Sequence, residues 1–182
     1  MEFEAQCPIG LRGGRPAHLD LLAQGRAGVV AAESKCTEHL DPKVPAFSPA
    51  YAEQILDERR AGPWFRAMKA ILKGGETFNF LGAAQLIKHA FGLARRFPRP
   101  VTLLYLFWEP RDGARHASIL AHRTEIRRFA RLVAGGQPAF RAQSYLKLWG
   151  EWQRPGRPGW LKKHVVNLRD RYEVDLTEGW PS

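Results

Sequence analysis

The chain has 182 residues, of which 45% are hydrophobic and 25% charged, the length and balance of one globular domain with a real core. No apolar run approaches the roughly 18–20 residues of a membrane-crossing helix. The N-terminal MEFEAQCPIG is acidic and lacks an apolar signal core, and Cys7 and Cys36 are too few for a disulfide framework, so a reduced, cytoplasmic protein is expected.

Net charge is +10 and unevenly spread. Residues 1–85 carry 10 Lys/Arg against 10 Asp/Glu, residues 86–171 carry 18 against 5, and residues 172–182 add three acidic groups. A basic half of this kind suits a polyanion, most simply nucleic acid. The bland alternative is a solvated basic surface.

Residues 5–12, AQCPIGLR, predict a weak strand, which Pro8 confines to an edge or a bulge. Gly13-Gly14 turns the chain into a second strand, Pro16 to Ala23, where His18, Asp20 and Leu22 share one face and Ala17, Leu19 and Leu21 the other. Gln24 to Gly28 turns again into Val29–Lys35, whose Val29, Ala31, Glu33 and Lys35 share a face. The three form an expected antiparallel meander.

After a loop over residues 36–47, Ser48-Pro49 predicts a helix to about Arg60, broken by Gly62-Pro63 and resumed over Trp64–Lys73. Asn79 is placed to cap a buried helix, Phe80 to Arg96, with Gln85, Lys88 and His89 as its polar exceptions. Val101–Trp108 reads as a central strand covered on both faces. An amphipathic helix over 119–134 turns Ile119, Ile126, Phe129 and Val133 inward and presents Arg123, Arg127 and Arg131 as one basic stripe. Phe140–Trp149 alternates like another strand, and a last basic helix runs from Trp160 to about Tyr172. The order predicts an α/β domain with a mixed sheet.

The chemistry gathers at the hairpin of residues 17–35. Glu33 and Lys35, at i and i+2, point to the same side of their strand, and pairing brings Asp20 opposite them. Charges inside such apolar runs need compensation, and a divalent metal provides it. Hard oxygen ligands such as Asp20 and Glu33 suit Mg²⁺ or Mn²⁺, with the Ser34 carbonyl between them as a further ligand. Lys35 beside the metal would orient or help deprotonate an attacking water and offset phosphate charge. By spacing alone Asp-x₁₂-Glu-x-Lys is a weak pattern, and a strand-edge ion pair with a separate Asp20 reads it equally well.

Residues 17–35, LDLLA…VVAAESK followed by CTEHL, resemble the signature of the PD-(D/E)XK nuclease superfamily, the restriction-endonuclease-like fold. The resemblance implies that Asp20 and Glu33 bind metal and that Lys35 assists the water. Gln85-x-x-x-His89 looks like a variant of the motif that related branches carry on the following buried helix. It further implies a single nuclease-like domain, its helix–strand–strand–strand–helix–strand core spanning about residues 1–110 and residues 111–182 forming a basic elaboration. Two positions depart from the pattern: Leu19 stands where Pro is common, and the first core helix has no room before residue 5.

The expected activity is therefore Mg²⁺- or Mn²⁺-dependent cleavage of DNA, with RNA and a homodimer left open. Arg123, Arg127 and Arg131, with Lys88 and His89, would contact the nucleic acid. Two other readings stand beside it: a nucleic-acid-binding protein of the same fold that does not cut, and an unrelated α/β protein with a protein partner. Cys36-x-x-His39 has zinc-like spacing but lacks further ligands, and His18 reads as a hydrogen-bonded hairpin histidine. Trp149, Trp152, Trp160 and Trp180 read as packing rather than as a base-stacking platform.

Overall fold

The computed structural model describes residues 1–9, 18–44, 46–47, 51, 58–98 and 100–176, the side chains of 58–61 excepted. Five strands, β1 (Glu2–Gln6), β2 (His18–Gly25), β3 (Gly28–Lys35), β4 (Val101–Phe107) and β5 (Ala139–Ser144), form one open sheet in that spatial order. The pairs β1–β2 and β2–β3 are antiparallel, and β3–β4 and β4–β5 are parallel. The sheet is therefore mixed, as the order of elements predicts. Gly25 pairs with Gly28 across the Arg26-Ala27 turn, and Gly28 takes a φ of 139° that side-chain-bearing residues avoid.

Five helices complete the domain: α1 (Glu58–Leu72), α2 (Ala83–Arg96), α3 (Ala117–Leu132), α4 (Tyr145–Trp152) and α5 (Gly159–Tyr172). The core lies between α1–α3 and one sheet face, where Val101, Leu103, Tyr105 and Phe107 of β4 are all buried. Trp64 of α1 and Phe129 of α3 meet edge to face there, with Phe78 and Phe140 around them. None of the helices described is long and apolar enough to cross a membrane.

Several elements differ from their sequence reading, each for a local reason. β1 begins at Glu2 rather than residue 5 and ends before Pro8, which has no N–H for a ladder. α1 passes through Pro63 as one helix; the proline lies near its start, so the break costs little helix. Of the helix placed at Ser48, residues 48–50 and 52–57 lie outside the described residues.

α2 starts at Ala83, because the N–H groups of Asn79, Phe80 and Leu81 all donate to the Glu125 carboxylate at 2.8–2.9 Å and leave helical geometry to the next residues. The strand read over 140–149 stops at Ser144, whose hydroxyl accepts from the Lys147 N–H and opens α4. β4 is central, but Thr102, Leu104 and Leu106 on its second face are only half-buried. The sheet also extends past the 1–110 core, since β5 is its fifth strand and Phe129 of α3 sits in the main core.

Gly92 of α2 makes the closest approach between a helix and the chain leaving β1. A Cβ there would sit 2.1 Å from the Cys7 carbonyl oxygen, a backbone atom with no room to retreat. Gly92→Ala is therefore expected to cost about 3 kcal/mol. Chemical denaturation measures it, and a midpoint equal to wild type would refute this account of the packing.

Candidate active site

Two interruptions in pairing prepare the site. Phe3 pairs with Leu21 and Ala5 with Leu19, while Glu4 between them takes a φ of 50°. Leu19 and Leu22 are both buried, a three-residue spacing that strict alternation does not give. The alternation thus breaks at Asp20. Beyond the Leu21–Ala32 pair, the Asp20 carboxylate takes the place of a backbone partner: its Oδ2 accepts the Ser34 N–H at 2.6 Å. Such irregularities re-aim side chains next to functional sites.

Glu33 lies opposite Tyr105 in the parallel ladder, on the helix-covered face, and is 2% exposed. Three side chains converge on it. Lys35 Nζ lies 2.5 Å from Oε1, and Gln85 Nε2 donates to the same oxygen at 2.7 Å. His89 Nε2 lies 3.0 Å from Oε2, at ion-pair distance. Gln85 and His89 are one turn apart on α2, which is why a single helix face supplies both.

Burial pushes the Glu33 carboxyl up, but the adjoining His89 and Lys35 more than offset it and hold it below the ordinary range. Asp20 moves the other way. Burial raises its carboxyl, the Ser34 N–H only partly opposes that, and the Glu33 charge adds to the rise. Two neighbouring carboxylates are therefore split in proton affinity, an arrangement characteristic of functional sites.

A cleft of about 290 Å³ opens beside this cluster, lined by Lys35, Gln85, Lys88, Lys43, Glu38 and His39 among others. Its walls are tied together. Glu125 holds the 79–81 segment, whose Asn79 carbonyl accepts the Lys43 N–H, and Lys88 Nζ donates to the Ala46 carbonyl at 2.9 Å. Glu38 Oε2 accepts the N–H groups of Cys36 and Thr37 and shapes the turn after Lys35. His39 is buried and stacks on His122 at 4.2 Å, and burial brings its pKa down to about 4.

The structure thus brings Glu33, Lys35, Gln85 and His89 into contact, with Lys88 in the cleft wall and Asp20 joined through Ser34. The arginine stripe is not gathered there. Arg123 pairs with Glu109 at 2.8 Å, Arg127 bonds Thr124 on its own helix, and Arg127 and Arg131 are exposed. His18 sits at the strand edge beside Gln6 and Glu4. Cys36 and His39 line different cavities and so do not form a ligand pair.

Tyr145 was not singled out from sequence. Its hydroxyl lies 2.6 Å from Ser34 Oγ, on the opposite side of β3 from Glu33. The N-cap serine at 144 was its available signal. Glu125 escaped notice because a carboxylate on an Arg-rich helix reads as solvated.

The site occupies the carboxyl end of β3 in a sheet that is open and largely parallel there, where ligands of α/β folds commonly bind. The chain matches no family model, no curated protein and no solved structure in the comparisons made. The class defined by fold and site is an α/β protein with a carboxylate–lysine cluster at a strand end.

The split carboxylates have a measurable consequence without divalent metal. Glu33, held low in the fold, contributes stability above its unfolded-state pKa, and this is lost as pH falls through the lowered folded value. Asp20, held high, opposes folding at neutral pH, and that penalty disappears as pH falls through its raised value. At neutral pH Glu33→Gln should therefore cost about 2 kcal/mol, while Asp20→Asn should leave stability equal or higher. Both differences should shrink below about pH 4. Equal losses for the two variants in thermal unfolding at neutral pH would refute the split.

Proposed function

We propose that the protein is a metal-dependent nuclease that hydrolyses phosphodiester bonds in DNA. The observation that carries this reading is the pairing of Lys35 with buried Glu33 at the end of β3, with Asp20 held next to them on the Ser34 N–H. The sequence resemblance to the PD-(D/E)XK nucleases supports it, as does the observed order of three strands, helices and a fourth strand.

The donor set fits a hard cation. Among the described residues no three His, Cys, Asp or Glu side chains gather as ligands, so Asp20 and Glu33 would share Mg²⁺ or Mn²⁺ with backbone and water oxygens. Ser34 directs its N–H toward β2, and strand geometry puts its carbonyl on the same edge as a further candidate ligand. The bound ion would neutralise charge on the phosphate and make its water more acidic.

The chain's own groups divide the remaining work. Glu33 holds the Lys35 ammonium at the cleft wall, where it would meet the attacking water or a phosphate oxygen. Gln85 donates to Glu33 Oε1, the oxygen that Lys35 also meets, and so fixes the carboxylate's orientation. Lys43 and Lys88 line the same cleft and offer positive charge to the flanking phosphates. The basic excess of residues 86–171 would draw in the polyanion.

The test is incubation of supercoiled and linear DNA with Mg²⁺ or Mn²⁺, alongside EDTA and Lys35→Ala. Cleavage should require metal and fall by about 100-fold or more in the variant, while salt-sensitive DNA binding persists. Binding without cleavage in wild type would favour the non-cutting relative of this fold. Cleavage that survives Lys35→Ala would overturn the assignment.

A further inference from the structure

Beside the cleft, on the other side of β3, lies a larger and mainly apolar pocket of about 580 Å³. Trp108, Tyr145, Trp149, Trp152, Leu168 and Tyr172 wall it. Cys36 and Thr37, the residues directly after Lys35, also face into it. Tyr145 connects pocket and site, since its hydroxyl bonds Ser34 Oγ while its ring lies 5.9 Å from Trp149 in a tilted stack. Trp108 Nε1 donates to the Tyr172 carbonyl, which fixes that ring against the end of α5.

The tryptophans read from sequence as packing therefore divide. Trp149 is buried, Trp152 is half-open on the pocket wall, Trp160 is exposed elsewhere, and Trp180 lies outside the described residues; Trp108, directly after β4, is half-open on the same wall. Among the described residues these rings leave an opening that a packed core would close. Aromatic faces with polar groups at the rim, here Arg171, His164 and Asp175, suit a flat heterocycle that needs stacking and a few edge hydrogen bonds. α5 contributes His164, Leu168, Arg171 and Tyr172 to its lining.

We propose that this pocket receives one unstacked nucleobase of the strand whose phosphate lies at the Asp20–Glu33–Lys35 cluster. The inference rests on the nuclease reading and deepens it by naming the substrate class: single-stranded DNA, or a duplex from which a base has swung out. A paired, stacked base cannot enter a walled pocket, whereas an unpaired one gains stacking on the indole faces. Phosphate contacts in the cleft would position the strand, and the pocket would favour substrates already able to release a base.

The experiment compares two oligonucleotides of about eight units with the same phosphate charge, one oligothymidylate and one carrying abasic sugars throughout, in EDTA so that nothing is cut. Fluorescence anisotropy reads the affinities for wild type, Trp152→Ala and Val174→Glu, the last an exposed residue of the pocket lining, with circular dichroism checking that both variants fold. Wild type should bind the thymidylate on the order of 10-fold more tightly, and both variants should lose that preference while still binding the abasic chain. Equal wild-type affinity for the two oligonucleotides would overturn the pocket and leave phosphate binding, and with it the nuclease reading, standing. A preference that survives both variants would place base stacking elsewhere and equally overturn the inference. Failure to bind either oligonucleotide would remove the nucleic-acid reading together with the pocket.

Discussion

A carboxylate that is 2% exposed in the middle of an apolar sheet is the constraint on which this structure turns. Left alone, the Glu33 charge would be expelled from the fold or neutralised by a proton. Lys35, Gln85 and His89 prevent both, and supplying them dictates much of the architecture. α2 must lie across β3 with its Gln85–His89 face downward, and β3 must end where Lys35 can fold back. The second Glu33 oxygen faces the His89 ring, whose Nε2 is 3.0 Å away.

Glu125 solves the same problem differently. Its carboxylate is buried against three backbone N–H groups, which need partners because they precede the first turn of α2. One side chain of α3 thereby fixes where α2 begins. The position of Gln85 follows from that start, so a residue far from the cleft sets its geometry through the helix it anchors. Lys43, tied to the Asn79 carbonyl, is held by the same segment.

The period of two along a strand then divides the surroundings. Glu33 and Lys35 face the helices and the small polar cleft, whereas Ser34 faces Tyr145 and the aromatic pocket. The Ser34 N–H, meanwhile, lies in the plane of the sheet and holds Asp20. Three successive residues serve three directions because the backbone alternates.

The amino-acid pattern alone determined the meander, the mixed α/β class, the carboxylate–lysine hairpin and the Gln85–His89 face, since all rest on local periodicity and turn residues. Gly25 and Gly28 mark the hairpin, and the i, i+4 spacing marks the helix face without any tertiary information. Where α2 begins was decided by Glu125, a residue more than forty positions away along the chain, through hydrogen bonds that no local window contains. The end of β5 shows the opposite failure: the apolar alternation continued past Ser144, while the serine cap, visible in sequence, ended the strand. Asp20's role as partner of the Ser34 N–H came from a break in strand pairing, and the gathering of Trp108, Trp149 and Trp152 came from the docking of α4 and α5. Such long-range contacts depend on which surfaces finally meet, and that is settled only when the whole chain has packed.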